Sequence, residues 1–293
     1  MQRVIFIILR KVKRVSKMKQ VDEKVQEAFK KIEDGVVKVF ESENYKKYLK
    51  FLSSFYNYSP NNVILILNQY EDATLVGGMN FWKKLKRNIK KGEKGIQILA
   101  PVPHSFVKKD EETGEEKEIN YVTFRTSYVF DVSQTDGEEL PTLTHKLKGT
   151  TDEIKELIER MNTIFTEEGI KFEFWNLKGE TNGFYRPTDN FICVKKGLDD
   201  LQVLKTMIHE FAHYTLHKNE LGSKDKNEAE LEAESVAYTV LNLFNLDSSE
   251  YSFGYLAGWS KKDVKLLKNT LKNIQSNTKE IIERIVVEEG DVA

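Results

Sequence analysis

The run His209-Glu210-Phe211-Ala212-His213 constrains this 293-residue chain more than any other feature. Histidines four residues apart lie one turn apart on the same face of an α-helix, so both imidazoles reach one cation. Apolar residues at helical spacing surround the run and predict a helix from about 199 to 218, with Asp199 and Asp200 at its start, where acids are favoured. Glu210 is placed to contact a water on that cation. Zinc lowers the pKa of such a water to about 7, and the carboxylate takes its proton. The expected cofactor is Zn2+, with His209 and His213 as ligands and Glu210 as the catalytic group.

An open zinc site needs a third protein ligand. Residues 228–238, EAELEAESVAY, sit in a predicted helix over 228–244 and offer Glu228, Glu230, Glu232 and Glu234. Glu230 and Glu234 are four apart on one face. A ligand plus a carboxylate that receives the N–H of a metal-bound histidine would use that spacing. Glu230 is therefore assigned as ligand and Glu234 as its outer partner, with Glu232 and Glu234 open as alternative ligands. The competing interpretation is a solvated acidic face whose Leu231, Ala233, Val236 and Ala237 pack the core. His217 lies about 12 Å along the axis from His209, at 1.5 Å per residue. It cannot share that metal while the helix is continuous and reads as a second-face or rim histidine.

Composition limits the setting. Cys193 is the only cysteine, which excludes an intramolecular disulfide and makes a reducing, cytoplasmic location the default. Cys193 itself reads as core. No apolar run approaches the roughly 20 residues that span a bilayer, and no stable membrane association is expected. Residues 1–19 read as a basic leader, or as the product of an upstream start with Met18 as the true first residue.

The periodicities give an α+β chain of two domains. An N-terminal domain over 20–138 combines helices within 20–56 and 63–69 with an antiparallel hairpin, 95–101 against 119–130, around the acidic DEETGEEKE turn. A linker follows at 139–150. A zincin-like, mostly helical domain over 151–293 carries a small sheet, with strand patterns at 172–175 and 191–194 and a last helix over 261–286.

One more stretch stands out. Residues 82–95, WKKLKRNIKKGEKG, hold seven basic residues and one acid in a chain of formal net charge -1. Lys83, Arg87, Lys90, Lys91 and Lys94 are suited to phosphates, and Trp82, Phe81, Tyr56 and Tyr58 to stacking on bases, at about 1–3 kcal/mol per stack. The alternatives are core packing for Trp82 and a solvated helix face for the lysines.

The run SFYNYSPNNVILILNQYEDATLVGGMNFWKKLKRNIKKGEKGIQILAP, with YVFDVSQT at 128–135, resembles the N-terminal single-stranded-DNA-binding domain of ArdC-type antirestriction proteins. The likeness covers roughly 20–135. It extends the expected DNA contacts to Asn62 and Gln134. In one departure, Lys86 stands before Arg87 where that family usually has glycine. IHEFAHYTLH, ELEAESVAY and, more weakly, GYLAGWS (254–260) resemble the ImmA/IrrE-like zinc peptidases. Together these resemblances imply a mobile-element or phage-linked protein that binds single-stranded DNA and carries a gluzincin-like zinc peptidase acting on an unidentified protein. Two other expectations stand beside it: a binding-only protein with a structural or inactive zinc site, and a peptidase that cleaves regulators.

Overall fold

In the computed structural model of the chain, residues 23–109, 116–140, 151–219, 224–246, 253, 256 and 258–286 are described. The expected leader, most of the expected linker and the tip of the acidic turn lie outside them. The described residues form two compact units: those up to 35 together with those within 64–139, and 36–63 together with those from 140 onward. Among the described residues, no helix is long and apolar enough to cross a membrane.

The first unit holds most of helix α1 (23–39), the body of α3 (Pro60–Gln69), α4 (Met79–Lys84) and five strands. The expected hairpin is present and longer than its apolar pattern: β3 (Ile96–Lys109) pairs antiparallel with β4 (Glu116–Asp131), from Ile96 opposite Val129 to Lys109 opposite Glu116. β1 (Val76–Gly77) adds to the other edge of β4, and β2 (Arg87–Ile89) pairs with β5 (Thr135–Gly137). The sheet is buried only near its base. Ile96, Ile98, Leu99 and Val129 enter the core, whereas Phe106, Tyr121, Val122 and Phe124 towards the tip are exposed.

Two polar side chains lock that base. The Asp131 carboxylate accepts from the backbone N–H groups of Thr74, Leu75 and Ser133 and from the Ser133 hydroxyl. Gln134 returns the interaction, accepting from the Asp131 N–H and donating to Lys94 O and the Glu93 carboxylate. This reciprocal cap closes the short 3-10 turn over Val132–Gln134 and holds the 90–95 loop against it.

The second unit contains α2 (Ser42–Ser54), α5 (Thr151–Glu167), α6 (Asp200–His217), α7 (Lys226–Leu243) and α8 (Val264–Ile285). Its sheet has the order β6 (Lys171–Trp175), β8 (Phe191–Lys195), β7 (Gly183–Arg186), parallel between β6 and β8 and antiparallel between β8 and β7. Cys193 is buried in the central strand, as its apolar context predicts.

Residues 36–63, which apolar spacing groups with the N-terminal domain, cluster instead with this unit. The reason is packing. Tyr45 is fully buried and shares a 2.7 Å hydrogen bond with Ser235 of α7, and Phe40 stacks on Trp259 at a centroid distance of 5.5 Å. Apolar spacing shows that α2 has a buried face but not which partner covers it.

Candidate metal centre

α6 is capped by Asp199, whose side chain accepts from the Gln202 N–H at 3.0 Å. Val203, Leu204, Met207, Ile208 and Phe211 anchor one side of it in the core, which turns His209 and His213 towards α7. Their Nε2 atoms lie 3.1 Å apart. Glu230 Oε2, from α7, lies 3.5 Å from His209 Nε2 and 3.7 Å from His213 Nε2. All three ligand atoms fall within 4.8 Å of one another. A tetrahedral zinc with bonds of about 2.0–2.1 Å has ligand atoms roughly 3.3–3.4 Å apart. The observed edges bracket that value, so the donor set fits a divalent cation. Two imidazole nitrogens and a carboxylate oxygen facing each other this closely also call for positive charge between them.

Glu210 points from the same helix into a cleft of about 870 Å3, open to solvent, that Glu230, Glu234 and Lys205 also line. Burial pushes its carboxyl up from the ordinary value, opposed by His209 and His213, and it accepts from the backbone N–H of Tyr185. That N–H belongs to β7, which lies unusually close to α6. A Cβ built on Gly183 would sit 2.4 Å from Thr206 Cγ2 and 2.6 Å from Cys193 O. Only glycine lets the strand approach this far, a requirement invisible in a lone glycine of the sequence. Burial would lower the His209 imidazole, but the carboxylates of Glu230, Glu210 and Glu234 outweigh it and raise it. Glu230 is held well below the ordinary carboxylate value, chiefly by the adjacent imidazoles of His209 and His213.

The structure thus brings His209, Glu210, His213 and Glu230 together. Glu234 lines the same cleft, where burial raises its carboxyl. Glu232 points elsewhere: it is fully buried and accepts from His217, Lys224 and Asn273. His217 lines the same cleft, and its Nδ1 lies 3.1 Å from Nδ1 of His213. Sequence spacing misses this interaction, whose far end lies on α8.

The expected DNA contacts are scattered by comparison. Trp82 has 0% exposure and donates its indole N–H to Phe130 O at 3.0 Å, so it packs the core and cannot stack on a base. Gln134 is buried in the cap described above. Arg87 spends its guanidinium on Thr135 Oγ1, Thr135 O and Glu138 O. Lys90 reaches Ser133 O at 2.8 Å. Lys83, Lys91 and Lys94 are exposed. Tyr56, Tyr58 and Asn62 belong to the second unit, and Asn62 is buried.

A helix-borne His-x-x-x-His pair, a carboxylate from the next helix and an adjacent buried glutamate, beside a small mixed sheet, mark a metallopeptidase-like domain. Residues 165–242 match the family model of IrrE N-terminal-like domains, and residues 16–130 that of the N-terminal domain of anti-restriction factor ArdC. An uncharacterized protein of Bacillus anthracis is 27% identical over 83% of this chain, which spans 47% of that protein's length. The chain thus covers about half of the curated relative it matches. Two crystal structures of the antirestriction ArdC protein from plasmid R388 are similar to it. The metal-free form is 24% identical, with a TM-score of 0.49 over 78% of this chain and 85% of that one. The Mn(II)-bound form is 20% identical, with a TM-score of 0.46 over 79% and 90%.

Proposed function

We propose that this protein is a zinc-dependent peptidase joined to a single-stranded-DNA-binding unit, cleaving a protein encountered near the DNA. The observation that carries the reading is the convergence of His209, His213 and Glu230 beside Glu210 in an open cleft. His209, His213 and Glu230 would hold the metal, which would supply Lewis acidity. Glu210 takes and returns the proton. Its raised pKa brings a carboxylate closer to the operating range of a general base, and the Tyr185 N–H fixes where its oxygens point. Gly183 keeps that N–H within reach.

In the first unit, Lys83, Lys91 and Lys94 supply solvent-facing charge for phosphates. With Trp82 buried, the exposed rings of the first unit include its neighbour Phe81 on α4 and Phe106 and Tyr128 on the hairpin, of which Tyr128 is 46% exposed and stands opposite Gln97, just beyond the basic loop.

The test is to incubate the full chain with zinc, a single-stranded oligonucleotide and nucleoprotein extracts. The expected result is cleavage of a discrete protein that the Glu210→Gln variant, still loaded with metal, does not perform. Identical products from both would leave a binding protein with a structural metal. Oligonucleotide binding should weaken steeply with salt; salt-independent binding would remove the DNA half.

A further inference from the structure

We infer that His217 is a positioning residue for the metal ligand His213, and that buried Glu232, rather than Glu234, is the carboxylate that anchors it. The inference rests on the metal reading above. His213 directs Nε2 at His209 and Glu230. A neutral imidazole that offers Nε2 to a metal carries its proton on Nδ1. That nitrogen lies 3.1 Å from Nδ1 of His217, which must then accept. The proton of His217 is thereby placed on Nε2, which lies 2.9 Å from Glu232 Oε2. One tautomer of each ring satisfies both links of the chain from His213 through His217 to Glu232.

The far end of this chain is fixed from several directions. Glu232 Oε2 also accepts from Lys224 Nζ at 2.7 Å, and Oε1 accepts from Asn273 Nδ2 of α8 at 2.9 Å. Glu232 has 0% exposure, so the carboxylate is held in place and shielded from competing water. The ring plane of His213 is thus set through His217 by groups on α7, α8 and the approach to α7. Outer partners of this kind are typically worth about 10–100-fold in metal affinity. Glu234 shares the cleft with Glu230, but the free nitrogen of His213 is already taken by His217.

The experiment is zinc competition between the full-length protein and a chromophoric chelator, with melting temperatures of the metal-stripped proteins measured alongside. Three proteins are needed: wild type, His217→Ala and His217→Asn. Neither variant keeps the hydrogen bond to Glu232, but the asparagine amide oxygen stands near the position of Nδ1 and can accept from His213. Wild type is expected to bind one zinc. The alanine variant should bind about 10–100-fold more weakly. The asparagine variant should recover part of that affinity although its metal-free melting temperature matches the alanine variant's. Zinc affinity in His217→Ala within twofold of wild type, or equal weakness in the two variants, would overturn the positioning role while leaving the metal site standing. A wild type that takes up no zinc would overturn the metal reading and this inference together.

Discussion

The helix around His209 and the basic stretch 82–95 both announce themselves in the sequence, yet they fold to opposite outcomes. In α6 the functional residues repeat with the period of the element that carries them, so His209 and His213 must share a face wherever the helix packs. The basic stretch has only a composition. Its residues fall across α4, a turn with Lys86 in the left-handed region at φ 54, β2 and a loop, and each element spends some of them. Trp82 goes to the core, Arg87 to Thr135 and Glu138, and Lys90 to Ser133 O. A spacing that matches a structural period survives folding as a cluster, whereas a charge count does not say which charges remain available.

The sharpest way to break this contrast is to remove a ligand. His213→Ala should reduce bound zinc from one equivalent to well below stoichiometric, read by elemental analysis of the purified protein. Full metal content in that variant would mean that the period-matched residues are not a site. Next comes Trp82→Ala. Emptying a fully buried indole site typically costs about 3–5 kcal/mol, read as a lowered denaturant midpoint of the full chain without DNA. A DNA-affinity loss at unchanged stability would return Trp82 to the binding surface. The matching control is Lys91→Ala with Lys94→Ala. Stability should be unchanged, and the slope of log affinity against log salt for single strands should fall by about 0.7 for each phosphate that is no longer neutralised.

The same contrast explains what was legible. Helices α5 to α8 and the β3–β4 hairpin follow from apolar period and punctuation, and the approach of His209, His213 and Glu230 to one another from spacing on two of those helices. The parts that were not legible depend on packing between segments distant in sequence. Burial of Tyr45 against Ser235 assigns 36–63 to the second unit. Gly183 acts only because β7 lies on α6. His217 gains its role from Glu232, which is itself held by Asn273. The Phe130-Asp131-x-x-Gln134-Thr135 block, part of the DNA-binding resemblance, turns out to be a cap whose two polar side chains are consumed internally.

That cap yields an intermediate effect. Asp131→Ala leaves the N–H groups of Thr74 and Leu75 without their charged acceptor, at a cost of about 1–3 kcal/mol. Burial would raise the Asp131 carboxyl, but the donors from Ser133, Thr74 and Leu75 outweigh it and hold it below the ordinary value. A depressed folded pKa stabilises the fold above the unfolded value of about 3.9. That contribution is lost as pH falls through the lower folded pKa. Wild-type stability should therefore decline below about pH 4, and Asp131→Asn should flatten that part of the curve. An unchanged acid limb would remove the charge from the explanation.

The smallest expected effect concerns Lys86, the position where the antirestriction resemblance departs from glycine. Its φ of 54 shows that the left-handed turn is kept with a side chain that disfavours it. Such a conformation costs a non-glycine residue roughly 1–2 kcal/mol, partly offset because glycine has more chain entropy to lose on folding. The exposed Lys86–Glu138 ion pair at 3.0 Å adds little. Lys86→Gly should therefore raise stability by about 1 kcal/mol, measured by denaturant titration, despite removing a positive charge from the basic stretch. Single-strand affinity should change no more than the removal of one exposed charge explains. A destabilised glycine variant would show that the ion pair, not the backbone, governs this turn, and would place Lys86 among the residues that the fold has consumed.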